Sequence, residues 1–149
     1  MTKSIVRNRK AWHEYEILEK FEAGIALVGT EVKSVRLGKV KITEAYCNID
    51  DKLQMDLHEM EISPYTFGNI HNHKTKRARK LLMHKREINR LLSKVKEKGL
   101  TLIPLSLYFK NDKVKVEVAL VKGKKLHDKR AALKDKDAKR EIDRAIKYQ

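Results

Sequence analysis

The chain of 149 residues carries 35 Lys or Arg against 20 Asp or Glu, a formal net charge of +15, and 41% apolar residues. That length suits one domain with a core of its own, and the apolar content excludes wholesale disorder. No apolar run approaches the roughly 18 residues that span a bilayer, the start lacks the apolar stretch of a secretory signal, and the lone Cys47 excludes an internal disulfide framework, so the expectation is a cytoplasmic protein without a membrane partner.

Residues 1–12 read as a basic arm. From His13 the sequence is β-like, with Tyr15 and Ile17, then residues 25–28, flanking a turn-like Phe21-Glu22-Ala23-Gly24. Thr30 stands where it can cap a short helix that runs to Arg36 and ends before Gly38. Strands are expected at 45–49 and 53–57, joined by a turn at Asp50-Asp51-Lys52, and Pro64 and Gly68 punctuate a loop. Ile88, Leu91, Leu92 and Val95 recur at helical spacing and predict a helix over about residues 85–98, stopped by Gly99. Residues 100–109 are β-prone, with Pro104 marking a bend or sheet edge. Asn111-Asp112 then turns the chain into Val114, Val116, Val118 and Leu120, which alternate with Lys115, Glu117 and Ala119 and so put one face in the core and the other in water.

Five to seven short strands and two helices in a body of residues 13–121 predict a mainly β fold, a small OB-like antiparallel barrel with flanking helices. Residues 122–149 form a third region, a basic tail. Its apolar stripe is too thin to offset the entropy of ordering, so the tail is expected to be disordered when free and helical when bound.

The charge is unevenly spread. Residues 1–70 carry 10 basic and 11 acidic side chains, residues 71–98 carry 11 and 2, and residues 122–149 carry 11 and 5. Nearly all the excess thus lies in one central segment and one tail, a footprint for a polyanion and first of all for nucleic acid. A merely solubilising surface mixes its signs more evenly. The central segment holds the run Lys74-Thr75-Lys76-Arg77-Ala78-Arg79-Lys80. Beyond it Lys85, Arg86, Arg90, Lys94 and Lys98 occupy a helix face away from Ile88, Leu91 and Val95. Arginine at this density suits phosphate forks, and Tyr65, Phe67, Tyr108 and Phe109 offer stacking faces.

Other chemistries compete with this one. His71-Asn72-His73 with His84 raises a metal site, but no Cys or carboxylate stands at ligand spacing and the surrounding cations repel a divalent ion. A loop that touches phosphate, or simply lies exposed, is the plainer reading. Cys47 reads as a small packed hydrophobe. His127-Asp128 beside lysines allows a second class, a ribonuclease with His as general base. That chemistry needs an ordered, convergent pocket, and this pair sits in the least orderable part of the chain. A phosphate-cradling Gly-rich loop and a Gly-x-Ser-x-Gly motif are both lacking, so no catalytic residue, metal or cofactor is expected. A ribosomal protein or a general single-strand binder is the nearer rival.

Several stretches resemble one family. They are Asn8-Arg9-Lys10-Ala11 with His13, Phe21-Glu22-Ala23-Gly24, Gly29-Thr30-Glu31-Val32-Lys33-Ser34, Ile62-Ser63-Pro64-Tyr65, residues 79–87 and 105–110, and Gly123-Lys124-Lys125-Leu126-His127-Asp128-Lys129-Arg130. In collinear order over about residues 8–149 they look like SmpB, the SsrA-binding protein family. The resemblance implies an OB-like barrel whose tail is disordered in free solution. It implies binding to the tRNA-like domain of transfer-messenger RNA and delivery of that RNA to stalled ribosomes, with elongation factor Tu as a partner in the delivered complex. It further implies that Glu22, Leu82 and Lys115 bind RNA, to which the basic run and helix add Arg79, Lys80, Lys85 and Arg86 on charge alone. Lys124, Lys125, His127, Asp128, Lys129 and Arg130, and more loosely Ile146, match the segment that faces the decoding site and its 16S ribosomal RNA.

Overall fold

The computed structural model describes residues 2–67 and 72–123. The tail beyond Gly123, with Lys124, Lys125, His127, Asp128, Lys129, Arg130 and Ile146, lies outside the described residues, as does His71. In chain order the elements are β1 (Thr2–Arg7), α1 (Arg9–Glu14), β2 (Tyr15–Ile25), α2 (Gly29–Arg36), β3 (Val40–Lys41), β4 (Tyr46–Ile49), β5 (Met55–His58), β6 (Glu61–Ile62), β7 (Arg79–Leu82), α3 (Lys85–Lys98), β8 (Thr101–Lys110) and β9 (Lys113–Gly123). Seven strands form one antiparallel sheet in the order β1-β8-β4-β5-β7-β2-β9, and β8 also pairs with β9. The sheet therefore closes on itself as a barrel, with β1 added along the far half of β8. The expected mainly β barrel with flanking helices is present, and β3 and β6 add a separate two-stranded ladder.

The barrel interior follows from strand alternation. Val116, Val118 and Leu120 of β9 face inward with Met55, Leu57, Leu81 and Leu107, and Ile88 and Leu91 of α3 cover them. Ala119 and Val121 on the other face of β9 are buried too, because Ala11 of α1 packs there with Ile103 and Leu105. Closure between β4 and β8 rests on one register pair, Cys47 opposite Leu102. Asn8 secures the same edge of β8: its backbone N–H donates to the Leu105 carbonyl at 2.7 Å and its amide to the Pro104 carbonyl at 3.2 Å. Its side-chain oxygen meanwhile caps α1 through the Ala11 N–H.

Several local expectations change. The supposed arm is β1, hydrogen-bonded to residues 106–110 of β8, so residues 2–7 belong to the body. Phe21–Gly24 is not a turn: it continues a strand of 11 residues whose partner β9 takes up its backbone groups. Thr30 does not cap α2. Val28 is the N-cap and Glu31 accepts from its N–H at 3.0 Å, while the Thr30 hydroxyl pairs with His73 Nδ1 at 2.9 Å. Pro104 sits at a bulge, where the β8–β9 register shifts. Gly99 ends α3 at φ +60° and Asn111-Asp112 turns at φ +51° and +65°, both as the residue types require.

The largest difference is at residues 74–80, a basic run with no apolar alternation that nevertheless leads into β7. Arg79 points inward from this strand and is 0% exposed. Its Nε donates to Glu31 Oε2 at 2.6 Å, and its other nitrogens donate to the carbonyls of Met60, Lys74 and Thr75. Glu31, also 0% exposed, takes Arg77 on its other oxygen at 2.5 Å. Burial pushes the Glu31 carboxyl up, but the bonds from Arg77, Val28 N–H and Arg79 outweigh it and hold the group below the usual glutamate range.

Removing one member of such a pair leaves an uncompensated buried charge, at about 3–5 kcal/mol. Arg79→Met and Glu31→Gln should each destabilise by about that much in urea unfolding. Because the folded value lies below the roughly 4.3 of an unfolded glutamate, the stabilisation is complete above that pH and is lost as pH falls through the folded value. The stability gap between the wild type and Glu31→Gln should therefore hold steady above about pH 5 and narrow on acidification.

Candidate nucleic-acid interface

The strand registers line up an outward row across the barrel. Ser4 stands opposite Tyr108, Tyr108 opposite Lys115, Lys115 opposite Gly24, and Gly24 opposite Leu82. Beside it runs a second row in which Arg7 faces Ser106, Ser106 faces Glu117, and Glu117 faces Glu22. Alternation with the buried Ala23, Leu81, Leu107 and Val116 forces these side chains out of the barrel. Glu22, Leu82 and Lys115, 93 residues apart at the extremes of the sequence, are thereby brought to one face.

Leu82 is 53% exposed, on a strand that alternates buried and exposed residues. Its side chain leans over Gly24: a Cβ built on Gly24 would come within 3.3 Å of Leu82 Cβ and 3.5 Å of Cδ1. Glycine inside a strand often marks such a close approach. On the other side of Gly24 stands Lys115, so a leucine and a lysine flank the glycine across the sheet. A ribose or base face can rest on the first while a phosphate meets the second.

Glu22 is exposed but not loose. Tyr108 Oη donates to Oε2 at 2.5 Å and Lys110 Nζ donates to Oε1 at 3.2 Å. The Tyr108 bond does most to hold the carboxyl below its usual range; burial opposes, and Lys110 and Lys115 assist. In turn, burial and then the Glu22 carboxylate push the Tyr108 phenol up. Glu22, Tyr108 and Glu117 line a shallow depression of about 300 Å³ with Ser4, Arg7 and Ser106.

The remaining basic residues divide. Lys80, Lys85 and Arg86 are exposed and make no ion pair among the described residues, although Lys80 stands opposite Asp56 in the β5–β7 register. Arg79 is corrected: its guanidinium is buried and fully engaged, so it shapes the body and is not available to a phosphate. Arg77 is engaged by the same Glu31, and Lys76 by Glu59 and Glu61. Arg90 and Lys94 close on Glu19 at 3.8 and 2.9 Å, with Arg90 over the Phe21 ring. The positive field of the central segment is therefore smaller than its composition implies.

Among the aromatics, Phe67 is 78% exposed and meets Tyr65 edge-on, with Lys33 over the Tyr65 ring. Phe109 packs against the core. His73 is pinned between Thr30 and the Ile62 carbonyl, and His84 precedes α3 as its N-cap. No cluster of metal-ligating side chains occurs among the described residues. Burial pushes the Cys47 thiol up, away from thiolate reactivity. Two members of the face escaped the sequence reading: Gly24, taken for a turn residue, and the Tyr108 hydroxyl as the partner of Glu22.

Stability measurements separate the roles on this face. Leu82→Ala should change unfolding free energy by less than about 0.5 kcal/mol, because the side chain is half in water. Gly24→Ala should cost more, about 1 kcal/mol, because the added Cβ would stand 3.3 Å from Leu82 Cβ, which must give way. The reverse order would show that Leu82 belongs to the core.

Comparison with known proteins places the chain in one family. A family model described as SmpB protein matches residues 5–148. An SsrA-binding protein of Carboxydothermus hydrogenoformans is 56% identical over 147 residues, covering 99% of this chain and 98% of the relative. Another SsrA-binding protein, from Pelotomaculum thermopropionicum, is 55% identical over 145 residues, covering 97% of this chain and 94% of the relative. A solved chain from a structure described as "tmRNA-SmpB: a journey to the center of the bacterial ribosome" superposes with a TM-score of 0.70 at 48% identity, covering 86% of this chain and 93% of that one.

Proposed function

The chain belongs to the SmpB family, and from that premise we propose that it works as an SsrA-binding protein, an RNA-binding adaptor and not an enzyme. It binds the tRNA-like domain of transfer-messenger RNA and brings it to stalled ribosomes for trans-translation. The observation that carries this reading is the outward row on which Lys115, Gly24 and Leu82 stand in register, with Glu22 beside it. A rigid face with one cation, one apolar contact and one oriented acceptor suits a folded RNA better than a flexible strand, which would call for a continuous basic groove with stacked aromatics. Lys80, Lys85 and Arg86 extend the phosphate contacts from β7 into α3.

Residues 122–149 supply the second half of the reading. Their 11 basic side chains suit a channel of ribosomal RNA, in the decoding site of the 16S ribosomal RNA and along the vacant message path. Lys124, Lys125, His127, Asp128, Lys129 and Arg130 form the ribosome-facing segment, and Ile146 lies on an apolar side that docks once helix forms. A segment that orders only on binding tests vacancy: an occupied channel leaves the ordering entropy unrepaid. Elongation factor Tu joins in the delivered complex, and the setting is the cytoplasm. No helix among the described residues is long and apolar enough to cross a membrane.

Two variants and a truncation test the division of labour. Binding to the tRNA-like domain should weaken linearly in a log–log salt plot, and Lys115→Ala should lower the slope by about 0.7–0.9, one phosphate contact. Leu82→Ala should lower affinity with the slope unchanged, and should spare an unstructured RNA of equal length. Deleting the chain after Lys125 should leave affinity for the isolated tRNA-like domain within a few fold while abolishing peptide tagging on ribosomes whose message ends at the decoding site. A tailless protein that still supports tagging contradicts the sensor reading; equal losses on both RNAs contradict specific recognition.

A further inference from the structure

We propose that Tyr108 is a positioning residue for RNA recognition: its hydroxyl holds the Glu22 carboxylate in the orientation that accepts from 2′-OH or base N–H donors of a folded RNA. The inference rests on reading the Glu22 face as the RNA-binding one. A carboxylate is a costly side chain on such a face, since every phosphate repels it. Its use there is to read donors, which only 2′-hydroxyls and base edges offer, and an acceptor reads donors only if its direction is set.

Several groups compete for that direction. Lys110 and Tyr108 reach Glu22 from β8, Lys115 and Glu117 face it from β9, and Arg7 of β1 lines the same depression. The lysines are long and their ammonium groups bind from any side. Tyr108 is a planar, half-buried anchor with two side-chain torsions, and its single O–H fixes one carboxylate oxygen at 2.5 Å. That leaves the remaining lone pairs of the carboxylate available to a donor arriving from solvent.

The bond does not serve barrel closure. β9 lies between β8 and β2, and its ladders to both neighbours run almost its whole length, so Tyr108 reaches Glu22 over a strand that already joins their backbones. Two strand spacings, roughly 10 Å, are spanned by side chains alone. Both residues are at least partly exposed, where a hydrogen bond adds little to folding. Its effect falls on the side chains, not on the fold.

The test uses the full-length protein with Tyr108→Phe, Glu22→Gln and the double variant, titrated against the tRNA-like domain and against an unstructured RNA of equal length. Glu22→Gln should weaken binding to the tRNA-like domain about tenfold, and Tyr108→Phe about fivefold, with little change on the unstructured strand. The double variant should bind no worse than Glu22→Gln alone, because Tyr108 acts through Glu22. As a signature that a merely structural role would not move, carbon-detected NMR titration should find the Glu22 carboxyl shifted upward in Tyr108→Phe with the melting temperature unchanged. Wild-type affinity in Tyr108→Phe alongside a weakened Glu22→Gln, or losses that multiply in the double variant, overturns the positioning role. Wild-type affinity in Glu22→Gln overturns the reading of the face itself.

Discussion

The buried pair of Glu31 and Arg79 is the constraint on which the rest of the architecture turns. One carboxylate and one guanidinium tie together the first turn of α2, the carbonyls of Met60, Lys74 and Thr75, and the first residue of β7. Two opposite charges out of water gain little net energy, since desolvation offsets much of their attraction. What they gain is placement. With Arg79 locked inward, Lys80 must point out, Leu81 in and Leu82 out. A slip of one residue in β7 would bury Leu82 and strand a guanidinium in solvent beside an orphaned Glu31. The exposed Leu82 of the outward face is thus held in place by an ion pair in the interior three residues away.

The face itself joins rigidity to a small set of chemically different contacts. β2, β8 and β9 carry it on ladders that are continuous apart from two bulges, so Glu22, Lys115 and the Tyr108 hydroxyl keep fixed separations. Leaving Leu82 half exposed forgoes part of the roughly 1.5–3 kcal/mol that full burial would supply. Lys76, Arg77, Arg79, Arg90 and Lys94 of the central segment are paired within the body, on Glu19, Glu31, Glu59 and Glu61. Nonspecific attraction by the body is thereby moderated, leaving shape and direction to discriminate, while the uneven sequence places a second reserve of charge in the tail.

How far the sequence reveals all this depends on the kind of signal. The α3 periodicity and the αL glycine at position 99 are local and stand where their patterns place them, and the β9 alternation holds until Ala119, whose outer face Ala11 covers. β1 was obscured because its Lys3 and Arg7 look like an arm, when they are the solvent side of an edge strand. β7 was obscured because an inward arginine breaks the polar–apolar alternation that marks a strand; only its acidic partner, 48 residues upstream, makes it legible. The same mismatch misassigned Arg79 to RNA. Gly24 reads as a turn in isolation, and its meaning depends on Leu82 crossing from a strand 58 residues away. Glu22, Leu82 and Lys115 came from family resemblance, and composition alone would have favoured the arginine run.

The central claim is that a folded RNA seats on the outward face of β2, β7, β8 and β9. The most direct measurement is a map of amide and methyl chemical-shift changes as the tRNA-like domain is titrated into the full-length protein. The account predicts that the largest changes fall on Glu22, Gly24, Leu82, Tyr108 and Lys115, tapering into Lys80, Lys85 and Arg86. Changes centred on the Arg90–Lys94 side of α3, with the Gly24 and Leu82 signals unmoved, would contradict it.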